Sequence, residues 1–124
     1  MTRRMLVTGA RGKTGREVVS QLRRHDDVTV HAGSSKPDGE PTRTVRPVLF
    51  DWDQPQTWPA AAGGAQAIYL MRPDRPDAPE LAASLLDLNP DAHVVLLSEQ
   101  GAAQLPAAHW VRRVESAVTT RAAS

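Results

Sequence analysis

The stretch MLVTGARGKTGREVV, Met5 to Val19, constrains this chain more than any other. A short apolar run, Met5 to Thr8, leads into three glycines spaced three apart: Gly9, Gly12 and Gly15. A segment follows in which Val18, Val19 and Leu22 recur at helical intervals. A nucleoside-triphosphate loop requires G-x-x-x-x-G-K-[ST]. Gly12-Lys13-Thr14 supplies the end of that pattern, but Val7 stands where its first glycine belongs. What remains is strand, glycine loop, helix, and two readings fit it. One is a tight strand-to-helix turn. The other is an anion loop, in which backbone N–H groups at a helix N-terminus hold a pyrophosphate and glycines permit its close approach. On the second reading Gly9, Arg11, Gly12, Lys13, Thr14 and Gly15 form the loop.

The rest of the chain alternates in the same way. Strands are expected at Met5 to Thr8, Asp27 to Gly33, Val48 to Phe50, Ala65 to Met71 and Ala92 to Ser98. Pro47 argues that the third strand lies at a sheet edge, since proline has no N–H to give a second neighbour. The first helix is expected over Lys13 to Arg24. A short one is expected in DQPQTWPAAAGG, closed by Gly63-Gly64. Another is expected in PELAASLLDL, with Leu81, Leu85 and Leu88 on one face. A closing helix carries Val111, Val114 and Val118. Apolar strands separated by helices predict a parallel sheet covered on both faces. With a glycine loop after the first strand, the expected fold is α/β, a doubly wound Rossmann-like sheet of about five strands in the order 3-2-1-4-5. Residues 1–124 are then one domain, and ligands bind at the carboxyl ends of its strands.

The second strand's end bears on which dinucleotide would bind. NAD-selective sites place an acid about 20 residues after the glycines, on the ribose 2′-OH. Here the sequence reads Gly33-Ser34-Ser35-Lys36, and the acids Asp26 and Asp27 stand at the other end of the strand. Ser34, Ser35 and Lys36 offer neutral donors and a cation, which suit a 2′-phosphate, and Arg11 is a further cation within reach of it. The expectation is NADP(H) in preference to NAD(H). A serine pair before a turn, with a solvated loop arginine, is the alternative.

Several function classes are excluded. With no cysteine there is no disulfide framework and no thiolate chemistry. His25, His31, His93 and His109 have no metal-ligand spacing. A net charge of +1, with arginines scattered along the chain, argues for no nucleic-acid or membrane partner. No apolar run reaches the ~18 residues of a membrane span, and the N-terminus enters a strand at once, so a cytoplasmic protein is expected.

The runs MLVTGARGKTGREVV, FDWDQPQTW, AIYLMRPD, VVLLSEQGA and HWVRRVESAV resemble, in that order, the NmrA-like branch of atypical short-chain dehydrogenases. Within it the festuclavine-dehydrogenase-like and azoreductase-like members are the most similar. The resemblance implies that Asp51 accepts a hydrogen bond from the adenine amino group, with Trp52 beside it. It implies that Met71, Arg72 and Pro73 pass near the second ribose, and that Ser98 lies near the nicotinamide. Ser98 also reads as a cap before a helix. No Tyr-x-x-x-Lys pair is present, as in the atypical branch, and no catalytic residue is assigned. Relatives continue past this point with a further strand, an Arg-Pro pair and a substrate lobe, so the sequence to Ser124 is expected to be the cofactor-binding half. Two functions stay open. One is an NAD(P)H-dependent oxidoreductase acting on a small organic acceptor such as a quinone, imine or enone. The other is a non-catalytic dinucleotide sensor that acts through a protein partner. A chain that folds without binding is a third. The fifth strand carries no proline or charge between Val94 and Leu97, and the closing helix is expected on a sheet face. That strand's edge is therefore expected to pair with a second copy or another polypeptide.

Overall fold

The computed structural model describes residues 3–71, 75–96, 113–114 and 117–118. Five strands, β1 (Arg3–Val7), β2 (Val28–Ser34), β3 (Val45–Leu49), β4 (Ala67–Leu70) and β5 (His93–Leu96), form one parallel sheet in the order β3-β2-β1-β4-β5. Between them run α1 (Lys13–Leu22), α2 (Trp58–Ala62), entered through a 3-10 turn at Pro55–Thr57, and α3 (Ala78–Asp87). Residues 113–114 and 117–118 are also helical. This is the doubly wound topology expected from the alternation of strands and helices.

Adjacent strand residues point to opposite faces, and β1 shows the consequence. Leu6 joins Phe50, Trp58, Ile68, Leu70, Leu85 and Leu86 in one core layer, while Val7 joins Val28 and Val30 in the other, against Val18, Val19 and Leu22 of α1. Each fully buried Leu or Ile stabilises the fold by about 1.5–3 kcal/mol. Val114 and Val118 are buried in the first layer, and Arg113 Nη2 donates to Glu80 Oε1 at 2.8 Å. Val114 and Val118 therefore pack into the core, as expected of them; Val111 lies outside the described residues.

Several boundaries differ from the sequence expectation. Helix α1 ends at Leu22 rather than Arg24, because the N–H groups of Arg24 and His25 turn back to the carbonyls of Gln21 and Leu22 and tighten the last turn. Strand β1 begins two residues earlier than Met5, with Arg3 N–H on the Asp27 carbonyl. Strand β4 is shorter than Ala65 to Met71. Strand β2 extends one residue further, to Ser34, which pairs with Leu49. In α3 the buried stripe is Ala78, Ala82, Leu85 and Leu86, with Leu81 partly buried; Leu88 lies beyond the last turn and is half exposed.

Strand β3 begins at Val45, three residues before the expected start, and Pro47 sits inside it. Val30 N–H donates to the Thr44 carbonyl and Phe50 N–H to the Ser34 carbonyl, so even-numbered positions face β2 and odd-numbered ones face outward. Pro47 thus withholds an N–H only from the side away from β2. Val45 on the same side is capped by Thr42, through N–H to Oγ1 at 2.9 Å and carbonyl to N–H at 2.8 Å. Leu49 alone keeps an outward N–H, so this edge is poor at recruiting another strand.

Candidate functional site

The glycine loop lies where the chain leaves β1, at the point where strand order reverses between β1 and β4. Thr8 is fully buried there and ties the two strands together: its Oγ1 accepts from Met71 N–H at 2.8 Å and lies 3.2 Å from the Met71 carbonyl. Thr8 N–H donates to the Tyr69 carbonyl, and Ala10 N–H to the Gly33 carbonyl on β2. The loop is therefore held from both sides before it turns. Gly9 makes the turn with φ +65°, a conformation that carries a steric penalty for residues with a Cβ. Gly15, on the first turn of α1, packs directly on that turn: a Cβ there would stand 2.1 Å from the Gly9 carbonyl oxygen. Helix and strand approach this closely because neither has a side chain between them.

Gly12 precedes α1, and neither a side-chain cap nor an acid occupies the helix's first turn. Such an N-terminus, with orphan N–H groups and the positive end of the helix dipole, suits an oxyanion. A cleft of about 340 Å³ opens beside it, lined by Gly9, Arg11, Gly12, Ser34, Ser35 and, on the far side, Phe50 to Asp53 with Arg75. Its far wall is aromatic and braced. Phe50, Trp52 and Trp58 pack as a triad with ring centroids 4.9–6.1 Å apart, and Trp58 Nε1–H donates to the Asp51 carbonyl at 2.8 Å.

Apart from Gly15, which is buried against the Gly9 turn and does not line the cleft, the sequence-predicted residues fall into three groups. Gly9, Arg11, Gly12, Ser34, Ser35 and Asp51 line the cleft together. Lys13 and Thr14 open α1 as exposed residues, Met71 stands over Gly9, and Lys36 contributes a carbonyl that accepts from Arg11 Nη1 at 2.9 Å. None of these four side chains is part of the cleft lining. Arg72, Pro73 and Ser98 lie outside the described residues. Ser34, expected just beyond the second strand, instead ends β2, and its Oγ is buried with no hydrogen-bond partner. Asp51 already serves its own turn, with Oδ1 accepting from Asp53 N–H at 2.9 Å and Oδ2 from Gln54 Nε2 at 3.3 Å. Asp26 pairs with Arg43 at 2.6 Å at the amino ends of the strands, away from the cleft.

Sequence reasoning missed Arg75. It braces the far lip of the cleft, with Nη1 on Asp53 at 2.6 Å and Nε and Nη2 on Asp77 at 2.5 and 2.9 Å. The signal was present as Asp53, Arg75 and Asp77, but only the fold brings Asp53 to the other two. The hydrogen bonds that Arg75 donates to Asp77 and then to Asp53 hold its guanidinium pKa above its ordinary value, and Arg75 holds the Asp77 carboxyl below its own. His31, in the middle of β2, sets its Nδ1 3.3 Å from the Ala61 carbonyl; burial lowers its pKa despite that bond. Among the described residues no group of acids and histidines is arranged to hold a metal, and no helix is long and apolar enough to cross a membrane.

No protein-family model matches the sequence, and no curated protein does. Solved structures do match in shape. A Rossmann-fold NAD(P)-binding family protein from Shigella flexneri superposes with a TM-score of 0.75 at 18% identity, over 98% of this chain and 63% of that one. Triphenylmethane reductase from Citrobacter sp., solved with NADP(H), gives 0.70 at 19%, over 94% of this chain and 45% of that one. A short-chain dehydrogenase/reductase from Veillonella parvula gives 0.69 at 15%, over 95% and 64%. At these identities the likeness is one of fold, and the chain spans between about half and two thirds of each neighbour's length.

Proposed function

We propose that this chain binds a nicotinamide dinucleotide, NADP(H) in preference to NAD(H), as the cofactor-binding domain of an NmrA-like oxidoreductase of the cytoplasm. The observation that carries the reading is the contact of Gly15 with the Gly9 carbonyl: it sets the uncapped start of α1 at the β1–β4 switch point, beside a cleft with an aromatic far wall. The residues present fit the cofactor. An added Cβ at Gly12 or Gly15 would meet the Gly9 carbonyl, so the loop is drawn tight against the start of α1, and the buried Ser34 hydroxyl has a hydrogen bond to make.

The backbone from Gly9 to Gly15 would hold the pyrophosphate, with Lys13 and Thr14 at the helix start. Asp51 keeps lone pairs for the adenine amino group beside Trp52. Ser34, Ser35, Lys36 and Arg11 would receive a 2′-phosphate. Met71, with Arg72 and Pro73, would border the second ribose, and Ser98 the nicotinamide. The bound nicotinamide supplies the hydride chemistry; the chain's part is to orient it and exclude water from one side.

Titration with NADPH and NADH, followed by nicotinamide fluorescence and quenching of Trp52, Trp58 and Trp110, tests this. NADPH is expected to bind the tighter, and Lys36→Glu to weaken NADPH selectively by about tenfold, the effect of losing one charge-assisted contact and gaining a repulsion. Equal affinities in the wild type would refute the NADP(H) assignment. Binding with no hydride transfer to quinone, imine or enone acceptors would favour the sensor reading.

A further inference from the structure

Arg11 stands between two hollows. One is the 340 Å³ cleft; the other, of about 650 Å³, lies over Ala32, Val45 and Pro47 with Arg16 and Val19 of α1 along one side and Asp38 and Glu40 along the other. Arg11 and Ser34 line both. The β2–β3 connection, residues 35–44, contains no helix and loops back to Arg11 instead. The Lys36 carbonyl accepts from Nη1 at 2.9 Å, and the Asp38 carboxylate lies 3.8 Å from Nη2. One Nη group is thus hydrogen-bonded to the chain's own carbonyl, and the other faces a carboxylate beyond hydrogen-bond distance. Ser34, on the same two walls, keeps a buried hydroxyl without a partner.

We propose that Asp38 is a built-in competitor for the ligand's 2′-phosphate: it occupies Arg11 in the free protein and so tunes the preference between the two dinucleotides. This rests on the dinucleotide reading above. The Arg11–Asp38 pair is long and its side chains are 50% and 75% exposed. A solvated pair of this kind is weak, and a phosphate dianion that accepts two parallel guanidinium bonds displaces it. Displacement leaves the Asp38 charge close to the incoming phosphate, which it repels. Both effects oppose NADP(H). Neither acts on NAD(H), which has a hydroxyl at that position. Glu40 adds negative charge to the same hollow without a contact to Arg11, so it separates the specific competition from the general field.

The test is a fluorescence titration of the wild type, Asp38→Asn and Glu40→Gln with NADPH and NADH. Asp38→Asn is expected to tighten NADPH about fivefold, the upper range for an exposed pair, and to leave NADH within about twofold. Glu40→Gln is expected to change NADPH by less than about twofold, and the Asp38→Asn gain is expected to shrink as salt is raised. In an Arg11→Gln background the Asp38→Asn gain is expected to vanish. An equal shift for both dinucleotides, an equal shift in Glu40→Gln, or a gain that survives Arg11→Gln overturns the proposal. A wild type that binds NADPH but does not respond to Asp38→Asn overturns this inference alone. A wild type that binds neither dinucleotide overturns it together with the dinucleotide reading.

Discussion

Gly12 and Gly15 stand three residues apart and carry different burdens. At Gly15 a methyl group would overlap the Gly9 carbonyl at 2.1 Å, and backbone there has nowhere to move. Gly15→Ala is expected to destabilise the fold by about 3 kcal/mol, the high end for overpacking, as measured by urea denaturation. At Gly12 a Cβ would stand 3.3 Å from the same oxygen, a contact that a small shift relieves, and φ is −72°. Gly12→Val is expected to keep the fold and to weaken dinucleotide binding at least tenfold, roughly the loss of one bond to a charged group. His31 gives a residue-level prediction in pH. Burial disfavours its imidazolium, so its folded pKa lies below the ordinary 6.5. The unfolded chain then binds more protons below that value. The stability due to neutral His31 is present above pH 6.5 and is lost as pH falls through 6.5 toward the folded value. Denaturation midpoints at about pH 5.5 and about pH 7.5, on either side of the ordinary histidine value, are expected to differ less in His31→Gln than in the wild type.

Among the elements, the cleft's far lip is braced by one side chain. Arg75 connects the turn after β3, through Asp53, to the start of α3, through Asp77. All three side chains are substantially exposed, so the bridge contributes little to global stability and acts locally. Arg75→Gln is expected to leave the denaturation midpoint nearly unchanged while speeding amide hydrogen exchange at Asp53 and Gln54 several-fold, a local opening in the sense that exchange detects. Unchanged exchange would mean that the Asp51 turn and the Trp58 bond hold that lip without help. The strands differ in a comparable way at the two sheet edges. Pro47 was readable as an edge marker because a missing N–H is a property of the residue itself. That Thr42 caps Val45 on the same side was not readable, because it depends on how the loop folds back.

For the molecule as a whole, the two edges predict how copies meet. Strand β3 is blunted on its outer side, whereas β5 directs the backbone groups of Val94 and Leu96 away from β4, since His93 N–H already faces β4 through the Gln66 carbonyl. Self-association is therefore expected through β5 rather than β3. Size exclusion with light scattering is expected to give a particle heavier than the 13.5 kDa chain, and a lysine at Val94 is expected to reduce it. A monomer at high concentration in the wild type would count against this.

The order of strands and helices and the position of the glycine loop were determined by the sequence alone, because both follow from local periodicity and from residues whose backbone behaviour is intrinsic. The NmrA-like resemblance added role assignments for Asp51, Met71 and Ser98 that no periodicity contains. Only the tertiary structure decided that Gly15 rests on Gly9, that Thr8 bolts β1 to β4, that the Ser34 Oγ is buried and unmet, and that Asp38 and Asp53 reach Arg11 and Arg75. Each of these joins residues brought together by strand pairing or loop return, and the distances on which their chemistry depends exist only once the sheet has formed.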